Sequence, residues 1–399
     1  MMALASREQT ALESLGHAPL LAHTLRWSAI NSGSRNLDGL ARMAGELADA
    51  FAVLPGELKL LDAADQRAAG AAEGQLGRNL HLRVRPDAPL QLLLTGHMDT
   101  VFGADHPFQQ VSAVSADGIV NGPGVADMKG GIAVMLAALA AVEQSSSARR
   151  LGYEVIINAD EEIGSGGSAP LFAQAARGKR AAFTYEPAQT VEGAFASSRP
   201  GNGNFALHVS GRSAHAGRNP ADGRNALLAA AELALILADA RSDGLSVNPA
   251  RIEGGSPNNV VPDDVTLHVN MRPRGPDDQE RASQALRTAI AAVSHRHEVL
   301  IRLHGGFTRP PRPITRNMEE LFSFVRDCGA ALGQKLDWQP SGGVCDGNNI
   351  AACGVPVIDT MGVRGGAIHS AREFMVVDSL VERAQLSALV LMRLADGRR

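Results

Sequence analysis

The feature that most limits how this chain can fold is an apolar run that ends in side chains able to bind a metal. Leu92-Leu93-Leu94 predicts a buried strand, and Gly96-His97-Met98-Asp99 follows almost at once. Ligands in open α/β sheets bind in the crevice outside the carboxyl ends of parallel strands. A neutral imidazole there can bind a metal, and a nearby carboxylate can orient it. Taken alone, the pair His97 and Asp99 is a weak signal, and it is better explained as a strand end whose side chains bond to the backbone.

Two more apolar runs end in carboxylates. Tyr153 to Asn158 predicts a buried strand and is followed by Asp160-Glu161-Glu162, whereas Ala181 to Tyr185 predicts a strand followed by Glu186. Adjacent carboxylates next to a buried strand repel one another unless a cation neutralises them. The acidic triplet therefore favours a metal site over a solvated surface run. Glu186 alone is more typical of a structural strand end.

A glycine-rich turn, Gly122-Pro123-Gly124-Val125-Ala126-Asp127, leads into a predicted apolar helix from Ile132 to Val142. Its spacing matches neither of the two common phosphate-binding glycine motifs. Asp127 lies at the entrance to the helix, where free backbone N–H groups stabilise a carboxylate even without a function. The turn is therefore either a simple connector or a further source of a metal ligand.

Composition excludes several functional classes. The chain is 45% hydrophobic with a net charge of -4, which argues against nucleic acid or a membrane surface as a partner. Its three cysteines, Cys328, Cys345 and Cys353, form no CxxC pair and predict a reducing compartment. Met1 to Ala11 lacks the apolar segment of a signal peptide, and we find no uninterrupted apolar span long enough for a membrane helix. We therefore expect a cytoplasmic protein.

The pattern changes after Pro200, where we predict an inserted α+β domain at 199–308 between two parts of a catalytic domain, 1–198 and 309–399. The order strand-helix-strand-helix-strand predicts one sheet with two helices on one face. Gly305 to Ile314, which is rich in proline, is interpreted as a linker, and Ser294-His295-Arg296-His297 as a solvated helix end. The predicted elements of the insert are strand Phe205–Gly211, helix Asn225–Ala240, strand Val260-Val261-Pro262 continuing at Val265–Arg272, helix Asp277–Val293 and strand Val299–Leu303.

The strand-end groups together form a set of two histidines and three carboxylates. This combination suits borderline divalent ions such as Zn²⁺. One carboxylate can bridge two metals about 3.5–4 Å apart, as in dinuclear hydrolases. Each metal would then keep an open position for water. The members of the set are His97, Asp127, Glu162, Glu186 and His369.

These motifs resemble the M20 metallopeptidase family, which includes glutamate carboxypeptidase, acetylornithine deacetylase and succinyl-diaminopimelate desuccinylase. The resemblance spans roughly 90–375 and implies an α/β fold: a zinc-exopeptidase-like catalytic domain whose mixed central sheet is flanked by helices, plus an inserted α+β dimerisation or lid domain. The motifs that carry it are Gly96-His97-Met98-Asp99-Thr100-Val101, Gly122 to Gly131, Asp160 to Ser165, Glu186-Pro187, Gly211 to Gly217, Asn259 to Pro262 and Ile368-His369-Ser370.

The resemblance also implies a role for each residue. Asp127 is expected to bridge two Zn²⁺ ions per subunit, with Co²⁺ or Mn²⁺ as alternatives, and to precede a cis peptide at Asp127–Met128. His97 and Glu186 would complete one site, and Glu162 and His369 the other. The other implied roles are Glu161 as the general base, Asp99 as the group that orients His97, His215 as an oxyanion donor reaching a partner subunit, and Arg272 and Asn259 as binders of a substrate carboxylate.

The function implied is hydrolysis of an amide or peptide bond next to a free carboxylate, in a homodimer acting on a small molecule or short peptide. The alternative within this chemistry is an N-acyl amino-acid deacylase. Cys345, where the family commonly has Ser or Thr, and the stretch from Arg364 to Ile368 depart from the family pattern and are expected to line the substrate pocket. A binding module without catalytic activity would lack the general base or some of the metal ligands. Glu161 and all five ligands are present, which disfavours this alternative. A dinuclear phosphoesterase is disfavoured because Arg and Lys do not cluster at the motifs.

Overall fold

The computed structural model describes residues 4–64 and 74–397. Its helices are α1 (Ser6–Glu13), α2 (His17–Ser28), α3 (Leu37–Phe51), α4 (Gly130–Glu143), α5 (Ala169–Ala175), α6 (Ala226–Asp239), α7 (Pro276–His297), α8 (Arg316–Ala331), α9 (Asp346–Ala352) and α10 (Ser379–Ala395). Its strands are β1 (Glu57–Leu61), β2 (Asn79–Val84), β3 (Leu90–His97), β4 (Ile119–Asn121), β5 (Leu151–Asn158), β6 (Ala181–Thr184), β7 (Phe195–Ala196), β8 (Asn202–Ser210), β9 (Leu245–Gly254), β10 (Asp264–Pro273), β11 (Leu300–Arg309), β12 (Trp338–Gln339), β13 (Val357–Ile358), β14 (Gly365–Gly366) and β15 (Phe374–Val376).

A mixed six-stranded sheet in the order β1-β2-β5-β3-β6-β13 carries the site. β1 and β2 are antiparallel to their neighbours, whereas β5, β3, β6 and β13 are mutually parallel. All eight residues of β5 are buried, as expected for a parallel strand covered on both faces. Alternate residues supply the two cores, with Leu92 and Leu94 facing α4 and α10, and Leu93 facing α5 and α9. The predicted mixed α/β sheet is confirmed.

Helix α4 is apolar on all sides because it lies inside the larger core rather than at the surface. The stretch Val125–Glu143 would by length and composition be able to cross a membrane, although Asp127 and Lys129 interrupt it near its start. Of its most apolar window, 89% is buried within the fold. It is thus packed as the core helix of this sheet, against α2 and α10.

A second, antiparallel sheet in the order β11-β8-β10-β9 packs one face against α6 and α7 and has its own hydrophobic core. We call β8 to β11 with α6 and α7 the four-stranded unit. No strand was predicted at the position of β9, so the predicted order strand-helix-strand-helix-strand is wrong at this point. Pro249 interrupts the strand pattern, and most of β9 is exposed because it lies at the sheet edge, where proline is tolerated.

Three smaller predictions for this region are also wrong. Val260 forms only an isolated bridge with His215, so Val260-Val261-Pro262 is not part of a strand. The predicted linker starts too early, because β11 continues through Gly305 to Arg309, with a shift in register between Phe307 and Arg309. The end of α7, predicted to be fully solvated, contacts α6, since His297 Nε2 lies 2.6 Å from Glu232 Oε2.

The two chain segments that join the four-stranded unit to the larger sheet run side by side. Arg199 and Arg312 exchange backbone hydrogen bonds of 3.1 and 2.9 Å. The side-chain amide of Asn348 donates to the carbonyl oxygens of Pro200 and Pro310, both at 2.8 Å. We call these segments the paired linkers.

Candidate active site

The parallel strands bring four predicted site residues to one edge of the six-stranded sheet. His97 is the last residue of β3, Glu161 and Glu162 lie in the turn that follows β5, and Glu186 lies two residues beyond β6. These strands are parallel neighbours, so their carboxyl ends meet at the same edge. The crevice there is the place where such sheets bind ligands.

The turn that carries Asp127 is fixed by a carboxylate from far along the chain. Glu373 accepts N–H bonds from Asp127 and Ala126 on Oε1, both at 3.0 Å, and from Gly124 on Oε2 at 3.1 Å. The Asp127–Met128 peptide is cis, as the resemblance implied. The three-stranded sheet β14-β15-β4 aligns Glu373 with this turn and carries His369 on the loop between β14 and β15.

Asp127 lies between the two histidines. Its Oδ1 is 3.1 Å from His97 Nε2, and its Oδ2 is 3.3 Å from His369 Nε2. His97 Nε2 is also 3.8 Å from Glu186 Oε2, and His369 Nε2 is 3.2 Å from Glu162 Oε2. The five predicted ligands therefore form two triads that share Asp127.

The charges of these triads fit divalent cations. Burial raises the pKa of Glu162 to about 7, and the nearby Asp127 carboxylate adds to the rise. Burial also raises the pKa of Glu186. Hydrogen bonds to Asp127 and Glu162 raise the pKa of His369 to about 11. A bound cation would compensate the charge of these crowded carboxylates, because metal ligands must be deprotonated when they bind.

Asp99 supports both His97 and the acidic turn. Its backbone oxygen is 3.0 Å from His97 Nδ1, closer than its own Oδ1 at 3.4 Å, so the imidazole is oriented chiefly by the main chain. The Asp99 carboxylate accepts the backbone N–H groups of Glu161 at 3.2 Å and Glu162 at 3.1 Å. The position of Asp99 thus fixes the backbone from which both glutamates project.

Glu161 lies beside the triads and contacts a buried arginine that the sequence analysis did not single out. Its Oε1 accepts a hydrogen bond of 2.7 Å from Arg309 Nη2. Burial raises the pKa of Glu161 well above its usual range, and the guanidinium of Arg309 opposes this rise. A carboxylate whose pKa is raised in a cavity is suited to general-base work near neutral pH.

A cavity of about 400 Å³ opens over the triads. Arg199, whose side chain is 6% exposed, lines it and is held by hydrogen bonds to Asp359 and, at 3.2 Å, to Ser341 Oγ. Arg312 also pairs with Asp359, at 2.9 Å, so two guanidinium groups share one carboxylate, and one of the two, Arg199, lines the cavity. The net positive charge makes this end of the cavity suitable for an anionic group.

The predicted pocket positions are partly wrong. Gly365 to Ile368 lines the cavity, as expected for the stretch that departs from the family pattern. Cys345 is instead fully buried, with its Sγ 3.4 Å from Asp359 Oδ2, and among the described residues its neighbour Val344 lines the cavity in its place. Cys345 faces inward because it supports the aspartate beneath the cavity.

Three predicted residues belong to the four-stranded unit and lie apart from the triads. His215 is exposed and pairs through its backbone with Val260, and the carbonyl oxygen of Asn259 accepts the N–H of Ala216. Neither His215 nor Asn259 is among the described residues that line the cavity. Arg272 approaches it, since its Nη1 donates to the carbonyl oxygen of Gly342, a lining residue, at 3.0 Å.

Comparison with known proteins identifies the family. The model of peptidase family M20/M25/M40 matches residues 93–393. The chain belongs to this family. It is 27% identical to carboxypeptidase G2 of Pseudomonas sp. (strain RS-16), over 92% of this chain and 88% of that protein. It is 29% identical to a succinyl-diaminopimelate desuccinylase of Xanthomonas oryzae pv. oryzae (strain PXO99A), over 75% of this chain and 80% of that protein.

The fold of this M20 chain is shared with solved structures. A tripeptidase of Staphylococcus aureus subsp. aureus mu50 superposes with a TM-score of 0.76 at 22% identity, covering 96% of this chain and 100% of that one. The predicted family and the predicted metal-dependent hydrolase are both confirmed.

Proposed function

We propose that this M20 hydrolase uses two metal ions to cleave an amide or peptide bond next to a free carboxylate, as the name of its relative carboxypeptidase G2 suggests. The observation that carries the proposal is the pair of triads sharing Asp127, with Glu161 beside them and Arg199 in the same cavity. The two histidine and four carboxylate side chains match a dinuclear hydrolytic site.

In this proposal His97, Asp127 and Glu186 hold one ion, and Asp127, Glu162 and His369 hold the other. When bound, Zn²⁺, or Co²⁺ or Mn²⁺ in its place, supplies polarisation of the scissile carbonyl and lowers the pKa of a water molecule. Glu161 takes the proton of that water and delivers it to the leaving amine. Glu161 lines the cavity, where its carboxylate can contact such a water molecule.

Substrate selection is proposed to rest on cationic groups at the cavity. Arg199 is buried and fixed by Asp359 and Ser341, so it is preorganised to receive an anion. Arg272 reaches the same loop from the four-stranded unit through Gly342. Planar guanidinium groups suit bidentate recognition of a carboxylate, which supports a substrate with a free carboxylate.

Metal-free protein reconstituted with zinc, cobalt or manganese is expected to hydrolyse N-acyl amino acids or dipeptides. The matched substrate whose carboxylate is replaced by a carboxamide should show about 10- to 100-fold lower kcat/KM, the cost of losing a charged hydrogen bond. Product release by each substrate of the pair, measured by chromatography, checks this. Equal kcat/KM for acid and amide would exclude recognition of the carboxylate.

The same set of N-acyl amino acids and dipeptides distinguishes the carboxypeptidase from the alternative function. An N-acyl amino-acid deacylase, the activity suggested by the name of the desuccinylase relative, would release succinate or acetate from N-acyl amino acids and leave dipeptides intact. Hydrolysis of dipeptides with a free C-terminal carboxylate supports the carboxypeptidase.

The cytoplasmic location expected from composition stays a prediction.

We further propose a homodimer formed through the four-stranded unit. Leu228 and Leu235 lie two turns apart on one face of α6 and are 60% and 69% exposed. The edge strand β9 is exposed beside them. His215 Nδ1 accepts the N–H groups of Gly217 and Arg218, which assigns the ring proton to Nε2. That outward N–H is suited to stabilise an oxyanion in the second copy.

Mixing two inactive variants tests this arrangement. His215→Ala and Glu161→Gln subunits, combined under conditions that permit exchange, are expected to recover up to about a quarter of wild-type activity, because half of random two-fold dimers are mixed and each has one complete site. Turnover before and after mixing is the measurement. Absence of recovery, with exchange shown by mass-tagged subunits, would mean that His215 does not act across the interface.

A further inference from the structure

Arg309 connects the end of β11 to the general base. It is the last residue of that strand, its side chain is 2% exposed, and it lies where the chain leaves the four-stranded unit. Its Nη2 donates to Glu161 Oε1 at 2.7 Å and to the Glu161 carbonyl oxygen at 3.1 Å. One guanidinium nitrogen therefore contacts both the side chain and the backbone of the residue assigned as the base.

The other end of the guanidinium group is anchored just as firmly. Arg309 Nη1 donates to Asp346 Oδ1 at 2.8 Å. Asp346 is itself held by Asn158, whose Nδ2 is 2.9 Å from Oδ2, and by Ser165, which also accepts from Arg309 Nη2 at 2.8 Å. A planar fork fixed at both ends cannot swing away from Glu161, whereas a single flexible ammonium group could.

We propose that Arg309 is the positioning residue of Glu161, holding Oε1 so that Oε2 is left as the proton acceptor toward the cavity. This rests on the proposed function, which makes Glu161 the base. Within residues 4–64 and 74–397, no hydrogen bond to Glu161 Oε2 is found, and Glu161 lines the cavity. A carboxylate tied at one oxygen keeps the other in a constant place relative to a water in the cavity.

The location of Arg309 at the end of β11 has a second consequence for Glu161. The neighbour of Arg309, Pro310, is held by Asn348, and Pro310 belongs to the paired linkers. Because Arg309 is the last residue of β11, the contacts that fix the paired linkers also help to hold its guanidinium group beside Glu161. The position of the base therefore depends on how the end of β11 is held, although Glu161 itself follows β5.

A purely structural role for Arg309 makes a different prediction. Buried ion pairs often contribute little net stability, but breaking one leaves an uncompensated charge. If Arg309 only neutralised Glu161 and Asp346, its removal would reduce the amount of folded enzyme and affect turnover equally whether or not the base is present. If it positions the base, its effect on turnover must vanish once the base is gone.

The experiment measures kcat, KM and metal content for Arg309→Met in the wild-type chain and in the Glu161→Gln chain. In the wild-type background we expect kcat to fall about 10²-fold, the cost of a misplaced catalytic group. KM should change by less than about threefold, because only the transition state loses the interaction. In the Glu161→Gln background Arg309→Met should change kcat by less than about threefold, since coupled residues are not additive.

The matched control is Arg393→Met. Arg393 on α10 is 1% exposed in its side chain and pairs with a buried carboxylate, Glu8 on α1. Among the described residues neither lines the cavity, so Arg393 reports the general cost of removing a buried guanidinium. Its kcat should equal that of the wild type. An equal fall of kcat for Arg309→Met in both backgrounds, or an unchanged kcat in the wild-type background, would overturn the proposal.

If Arg309→Met does not fold, a conservative variant replaces it in the same experiment. Arg309→Lys keeps the charge but cannot contact Glu161 and Asp346 together, so kcat should fall about tenfold in the wild-type background and be unaffected in Glu161→Gln. Wild-type kcat in Arg309→Lys would show that the fork is not required. Failure of the proposed function is recognised separately, because Glu161→Gln would then retain full turnover irrespective of Arg309.

Discussion

Asp127→Ala is expected to lose both metal ions and at least about 10³-fold in kcat, because metal polarisation of a carbonyl contributes several kcal/mol. The reason is geometric. Asp127 contributes Oδ1 beside His97 and Oδ2 beside His369, so one side chain serves both triads. Elemental analysis of the purified variant, alongside its turnover, is the measurement.

Glu154→Ala is the matched control for Asp127→Ala. Glu154 is a largely buried carboxylate on β5, paired with His81 and Lys179 at distances of 2.9 and 2.8 Å, and it lies in the strand that leads to the acidic turn. This variant should retain its metals. A full complement of metal in Asp127→Ala would contradict the assignment of a shared ligand, and loss of one ion alone would assign Asp127 to a single triad.

Glu161→Gln is expected to keep its metals and lose about 10²–10⁴-fold in kcat, the usual contribution of a general base. The substitution preserves the shape of the side chain and removes only the proton acceptor. Because Glu161 belongs to neither triad, metal content should match the wild type. Steady-state turnover together with metal content checks the prediction, and turnover close to wild type would remove Glu161 from the role of base.

The ligand set was readable from the sequence because each residue follows an apolar run or a glycine-rich turn. His97, Glu162 and Glu186 lie at or just beyond the ends of parallel neighbouring strands, and a buried strand that ends in a charged group is a strong local signal. The motif around Asp127 and the histidine at 369 completed the pattern through resemblance. The geometry places all five together in two triads that share Asp127.

The supporting residues gave no such signal. Arg309 follows a glycine-rich strand and precedes two prolines, a context typical of a linker, and its partner Glu161 is 148 positions away. Glu373 fixes the Asp127 turn from 246 positions away, which only the folded chain reveals. Strand β9 was missed because edge exposure and Pro249 remove the alternation on which strand prediction depends.

The paired linkers have a consequence for how the four-stranded unit can be exchanged. Because Pro200 and Pro310 are held by the same amide of Asn348, the chain enters and leaves the four-stranded unit at one point. A segment attached in this way can be replaced by a short turn without altering the connectivity of any strand around it. The four-stranded unit is therefore one continuous insertion, whose whole surface can change while the strands that carry the triads keep their order.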